Sequence, residues 1–185
     1  MIKDTNETEY IPGIGVPLPN TDISIRDDEG NVVKQGESGE LCAKGPQVMA
    51  GYWNNVAATH ECMTQDGYFK TGDIALLDEQ GFFHIVDRKK DMINVSGFNV
   101  YPNEIEAEVA KISEVIESAC IGVPDKKTGE AVKLFVVSND KKLTRQHIID
   151  FCRQGLTAYK VPKQVVFIDE IPKSSVGKLL RRELR

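Results

Sequence analysis

Asp87–Glu106 reads DRKKDMINVSGFNVYPNEIE, and the organisation of the whole 185-residue chain turns on it. The charged run Asp87–Asp91 marks a change of texture and is the best domain boundary in the sequence. After it, Gly97 interrupts an apolar run, which allows a tight turn or a close approach of backbone to a ligand. Pro102 suits the first turn of a helix, where a missing N–H is no loss. Glu104, Glu106 and Glu108 lie toward the positive end of that helix's dipole. Ile105, Val109 and Ile112 recur at helical spacing, so the pattern predicts a helix from Pro102 to about Ser113 with one apolar face.

Upstream, short strands alternate with turns rich in Gly, Asp, Asn and Ser. Ile23 and Ile25 face inward. Turns are expected at Asp28–Asn31 and Gly36–Gly39, with strand residues at Val32-Val33 and Glu40–Lys44. NNVAATHECM is a short helix capped by Asn54 or Asn55. Strands follow around 68–70, 73–77 and 82–87, the last two joined at Asp78–Gly81. Downstream, strands are expected near 118–123, 131–138 and 164–168. A helix over about 144–156, capped by Thr144, carries Ile148, Phe151, Cys152 and Leu156 on one face. The predicted class is α+β: a β-rich meander or partial barrel over residues 1–89, then a small α+β domain over 90–185, within the usual domain range.

A net charge of −5, from 23 basic and 28 acidic residues, argues against a nucleic-acid partner. No apolar run approaches the roughly 20 residues of a membrane-spanning helix. The polar start MIKDTNETEY lacks the apolar centre of a signal peptide. Cys42, Cys62, Cys120 and Cys152 form no C-x-x-C pair, and His60, His84 and His147 add no ligand-like spacing. Reduced thiols, a cytoplasmic protein and no metal site are the expectation.

Three stretches carry candidate chemistry. In PKSSVGKLLRRELR, Lys178 follows a glycine that lets backbone approach a ligand, and its ammonium is a compact charge suited to phosphate or carboxylate. The run is no phosphate-binding P-loop, because the first glycine and the Ser/Thr after the lysine are both wrong. In YFKTGD, Asp73 opens a strand, where a carboxylate can accept two ribose hydroxyls. In VDRKKDMINVSGFNV, Arg88 ends a strand and Gly97 permits a tight turn. Taken singly, each also reads as ordinary surface: a solvated lysine, a turn aspartate, a basic turn before a strand.

Together, and with GELCAKGPQVMAGYWN, these stretches stand in an order that resembles the AMP-forming acyl-CoA synthetases, the acyl-adenylate superfamily. The resemblance covers about Gly13 to Arg185, and the wording of residues 87–106 is most similar to bacterial long-chain fatty acid–CoA ligases. It implies that Asp73 holds the ribose hydroxyls of ATP and that Arg88 contacts ribose or phosphate. Lys90 would be the hinge of a mobile small domain. Ser96, Gly97 and Phe98 would form the loop that admits CoA, and Lys178, on a flexible tail, would stabilise charge during adenylation. Asn94 replaces a lysine that luciferase-like members use, and takes no assigned role.

The family's Ser/Thr/Gly-rich phosphate loop and fatty-acid pocket have no counterpart in these residues. The resemblance therefore implies the β-rich end of a large domain plus the whole small domain, inactive without the N-terminal part of the same enzyme. ATP, CoA and magnesium are the implied cofactors, a fatty acid the implied partner, and peripheral membrane association a further expectation for the parent enzyme. Two rivals share the pattern: an adenylating module that loads a carrier protein, and a non-catalytic binding module.

Overall fold

The computed structural model describes residues 13–185. The polar opening Met1–Tyr10 and the first residues of the β-rich stretch lie outside them. The chain divides into two compact units, Met1–Lys90 and Asp91–Arg185. Lys90, expected to open the second domain, closes the first unit.

In the first unit, β1 (Asp22–Arg26), β2 (Ser38–Lys44), β3 (Phe69–Leu77) and β4 (Phe83–Arg88) form an antiparallel sheet in chain order. Among the described residues it is an open meander that does not close into a barrel. Ile25, Leu41, Ala75 and Phe83 form its buried cluster, with Ile23, Val33 and Leu77 packed against it. Val32 makes only an isolated bridge to Arg26, so the expected Val32-Val33 strand is a single paired position in a long turn. The stretches read as separate strands at 68–70 and 73–77 are one strand, β3, with its register broken beside Gly72-Asp73. α1 (Val56–Cys62) is capped by Asn55, whose side chain accepts from the Ala58 N–H at 3.0 Å.

The second unit begins with a hairpin, β5 (Ile93–Val95) and β6 (Phe98–Val100). Its two turn residues, Ser96 and Gly97, have φ of 54° and 85°, the pairing of positive angles that matches the twist of adjoining strands. α2 runs Pro102–Val109, shorter than expected. The chain then tightens into i→i−3 bonds, Ile112 N–H to Val109 C=O and Val115 N–H to Ile112 C=O, which still bury Ile112. β7 (Val115–Asp125), β8 (Gly129–Ser138), α3 (Arg145–Gly155) and β9 (Gln164–Phe167) complete the unit. Thr144 caps α3 by accepting from the His147 N–H.

The sheet order is β6-β5-β8-β7, with β9 parallel to β8. Because β7 fills one edge of β8, β5 and β9 share the other: Val95 opposes Gly129 near its start, and β9 pairs with Lys133–Val136. Side chains alternate across the sheet. Cys120, Val132, Leu134 and Val136 face α2 and α3, joining Ile105, Val109, Ile148 and Cys152 in the main core. Ala119, Ile121 and Phe135 face the other way and are covered by Ile171, Leu179 and Leu184.

Candidate functional site

Asp73 and Arg88 are opposed across β3 and β4, and Arg88 Nε meets Asp73 Oδ1 at 2.8 Å. The backbone around Asp73 is irregular because the β2–β3 register shifts there and Gly72 has φ 75°. Such bulges re-aim side chains. Three bonds hold the irregularity: Thr71 Oγ1 donates to the Leu41 carbonyl at 2.9 Å and accepts from the Asp73 N–H at 3.1 Å, while Glu40 Oε1 accepts from the Gly72 N–H at 3.2 Å. On β4, the buried Asp87 carboxylate accepts from the Arg88 N–H at 2.7 Å. The pair itself is open to solvent, with Asp73 24% and Arg88 58% exposed. Exposed ion pairs contribute only about 0–1 kcal/mol, so a ligand can rearrange this one at small cost. The contact uses Nε, and among the described residues the terminal guanidinium nitrogens of Arg88 make no hydrogen bond.

Lys89 follows, and its ammonium lies 2.8 Å from Asp28 and 3.0 Å from Glu40. Burial opposes its charge, but hydrogen bonds to these two carboxylates outweigh that and raise its pKa above the ordinary lysine value. Lys90 is exposed and lies in a single 3-10 turn, Lys89–Asp91. Asp91 in turn accepts from Arg185 at 3.3 Å. Lys90 therefore sits between a residue tied into the first unit and one tied into the second.

Ser96, Gly97 and Phe98 lie together at the tip of the β5–β6 hairpin. Asn94, given no role by the sequence, accepts from the Gly97 N–H through Oδ1 at 2.9 Å. Phe98, 55% exposed, stacks on Tyr159 with ring centroids 4.6 Å apart. Lys160 lies 5.8 Å from the Tyr159 ring centroid and pairs with Glu104 at 2.6 Å.

Lys178 is not on a loose arm, as its sequence suggested. Ser174 N–H donates to the Lys178 carbonyl at 2.8 Å, Gly177 N–H to the Ser174 carbonyl at 2.9 Å, and Leu180 N–H to the Pro172 carbonyl at 2.8 Å. Ser174 Oγ accepts from the Lys178 N–H at 3.1 Å. Gly177, at φ 77°, makes the reversal. The turn is rooted on both sides, by Ile171 and Leu179 in the apolar cluster and by Arg181, which makes two 2.8 Å bonds to the Glu106 carboxylate. Lys178 itself is exposed, and among the described residues its ammonium makes no ion pair.

Three tethers escaped the sequence reading: Glu106–Arg181, Glu130 N-terminal in β8, and Tyr159 beneath Phe98. Only the first left a trace, an acidic residue beside the apolar stripe of α2. The described residues hold no group of three or more His, Cys, Asp or Glu able to bind a metal ion.

Residues 104–178 match the family described as AMP-binding enzyme C-terminal domain, and residues 1–53 match AMP-binding enzyme. The chain is 60% identical over 176 residues to a long-chain-fatty-acid–CoA ligase of Yersinia pestis, covering 95% of this chain and 31% of that protein. It is 60% identical over 181 residues to the ligase of the same description from Salmonella typhimurium, covering 97% and 32%. It superposes on ATP-bound MatB from Rhodopseudomonas palustris with a TM-score of 0.90 at 35% identity, covering 97% of this chain and 36% of that one. The chain thus spans about a third of the length of the curated relatives it matches, at their C-terminal part. The chain belongs to the AMP-binding enzyme family and carries its C-terminal domain.

Proposed function

We propose that these residues serve an AMP-forming long-chain fatty acid–CoA ligase, as the end of its large domain and its small domain. In the first half-reaction, a fatty acid carboxylate oxygen attacks the α-phosphorus of ATP. The bond to the β-phosphate oxygen breaks, giving acyl-AMP and pyrophosphate. In the second, the sulfur of CoA attacks the acyl carbon and AMP leaves with its oxygen. Magnesium bound to ATP would supply charge neutralisation at the phosphates; no residue of this chain is assigned to it.

Asp73 accepts the two ribose hydroxyls, a role its half-exposed carboxylate can fill while still facing Arg88. The terminal nitrogens of Arg88 serve ribose or phosphate. Lys178 brings a cation to the α-phosphate, where charge develops as pyrophosphate leaves. Ser96, Gly97 and Phe98 border the path of CoA. The two steps need different groups at one acyl phosphate, and rotation about Lys90 supplies them in turn. The observation that carries this reading is the Asp73–Arg88 pair within a chain 60% identical to ligases of that description.

The test is a hybrid in which this chain replaces the matching third of the Yersinia pestis ligase. Fatty-acid-dependent pyrophosphate release followed by CoA-dependent thioester is the expected result, while the 185 residues alone give no turnover. A folded hybrid that binds ATP yet releases no pyrophosphate with any fatty acid overturns the reading.

A further inference from the structure

We propose that Glu130 and Asn94 are positioning residues for the thioester-forming half-reaction, fixing the Ser96–Gly97 turn through a series of hydrogen bonds. The inference rests on the function proposed above. It begins at the seam between β5 and β8, where Val95 opposite Gly129 is the one paired position. A regular antiparallel ladder continues to either side through main-chain N–H and C=O groups. On the turn side, Ser96 N–H donates to the Thr128 carbonyl at 2.8 Å. On the other, Asn94 N–H donates to the side-chain carboxylate of Glu130, at 2.8 Å.

The Asn94 N–H thus takes a side-chain acceptor where a regular ladder would offer it main chain. Asn94 then passes the restraint on, because its Oδ1 caps the Gly97 N–H. The series runs from the Glu130 carboxylate to the Asn94 backbone, to the Asn94 side chain, to the turn. Glu130 can disturb the turn without touching it.

The turn needs such restraint. Ser96 sits in the left-handed region, uncommon for a residue with a Cβ. Ile93, Val95 and Val100 bury the hairpin, but burial is non-directional and does not fix how the tip is aimed. The polar bonds do. The neighbouring strand makes room for the carboxylate: a Cβ at Gly122 would fall 2.7 Å from Glu130 Oε1. The other half of the seam is braced too. Asp125 accepts from the Thr128 hydroxyl at 2.8 Å and from Lys163 at 3.0 Å, holding the residue whose carbonyl receives Ser96.

Amide hydrogen exchange in the 185-residue chain tests the geometry. Asn94 and Gly97 should be protected in the wild type and exposed in Glu130→Ala. Glu130→Gln keeps an oxygen acceptor at the same reach and should restore protection. Gly122→Ala keeps Glu130 but crowds its carboxylate, and should expose the same two amides. In a full-length ligase carrying these residues, Glu130→Ala and Asn94→Ala should slow thioester formation from supplied acyl-AMP by ~10–100-fold, the scale of a small misplacement, with acyl-AMP formation unchanged. Glu130→Gln should recover the rate. Unprotected wild-type amides, or an opened turn with an unaltered thioester step, or equal loss in both steps, would overturn the proposal. A wild-type enzyme that makes no acyl-AMP overturns the functional reading and its assigned half-reaction with it. That failure is told apart because the protection pattern stays intact.

Discussion

The two glycine turns of the second unit, Ser96–Gly97 and Ser174–Gly177, hold their shape by opposite means. The second closes on itself, through four bonds among Pro172, Ser174, Gly177, Lys178 and Leu180. It borrows only its position, from apolar roots and the Glu106–Arg181 pair. The first has its position from three buried side chains and borrows its shape, from Glu130, Asn94 and Thr128. A self-closed turn is damaged by moving its root. A borrowed turn is damaged by removing its brace. Two half-reactions assigned to two such turns should fail separately.

The sharpest way to break this comparison is Lys178→Ala in the full-length ligase. Losing one placed charge-stabilising group should slow acyl-AMP formation by about 10²–10³-fold. Thioester formation from supplied acyl-AMP should stay near its wild-type rate. Equal losses would mean that Lys178 serves both turns or the fold.

Next in size is the root. Arg181 and Glu106 are only 14% and 17% exposed, and removing one partner of a buried pair strands the other. Arg181→Ala should destabilise the second unit by about 3 kcal/mol in urea unfolding. A change under ~1 kcal/mol would mean that the apolar root suffices.

Lys90 sharpens the comparison further, since the hinge would decide which turn reaches the reacting centre. Proline fixes φ and disfavours the helical conformation of the residue before it, here Lys89. Lys90→Pro should leave acyl-AMP formation running and lower CoA-dependent turnover roughly tenfold or more. Lys90→Ala should be mild in both. If alanine and proline are equally harmful, the side chain matters and the backbone does not.

The smallest expected effect is acid. Hydrogen bonds from Lys163, the Lys127 N–H and Thr128 hold the Asp125 carboxyl well below the ordinary carboxylate range. A depressed folded-state value gives stabilisation that is complete above the unfolded value, near 3.9, and is lost as pH falls through the lower one. Ser96 amide protection should therefore decline only below about pH 4, while the Ser174–Lys178 turn keeps its own. Asp125→Asn should flatten that decline; an unchanged profile would remove Asp125 from the brace.

Much of this was legible in the sequence, for a reason shared by the parts that were. The Thr144 cap, the apolar faces of α2 and α3, and the turn at Gly97 rest on contacts between near neighbours in the chain. The misses are long-range. Glu130 stands 36 positions from Asn94 and Arg181 75 from Glu106, and no local pattern pairs a carboxylate with a particular distant N–H or guanidinium. Lys178 fell between: its glycine signalled a turn, but the roots that make the tail a fixed element depend on Ile171, Leu179 and Leu184 meeting a sheet built far upstream. Asp73 and Arg88 were each visible, and only the β3–β4 register set them face to face.

One further consequence of the topology is kinetic. β9 makes the only parallel pairing among the described residues, and it reaches β8 across a crossover that includes α3. Contacts of that kind close a long loop before any reward and form slowly. The β5–β6 and β7–β8 hairpins close short loops, so they should assemble first on refolding. Pulse-labelled exchange should find Ser96 protected before Leu180. The apolar layer that roots Lys178 waits for β9, so the turn proposed to serve acyl-AMP formation should be the last part of this unit to form on refolding.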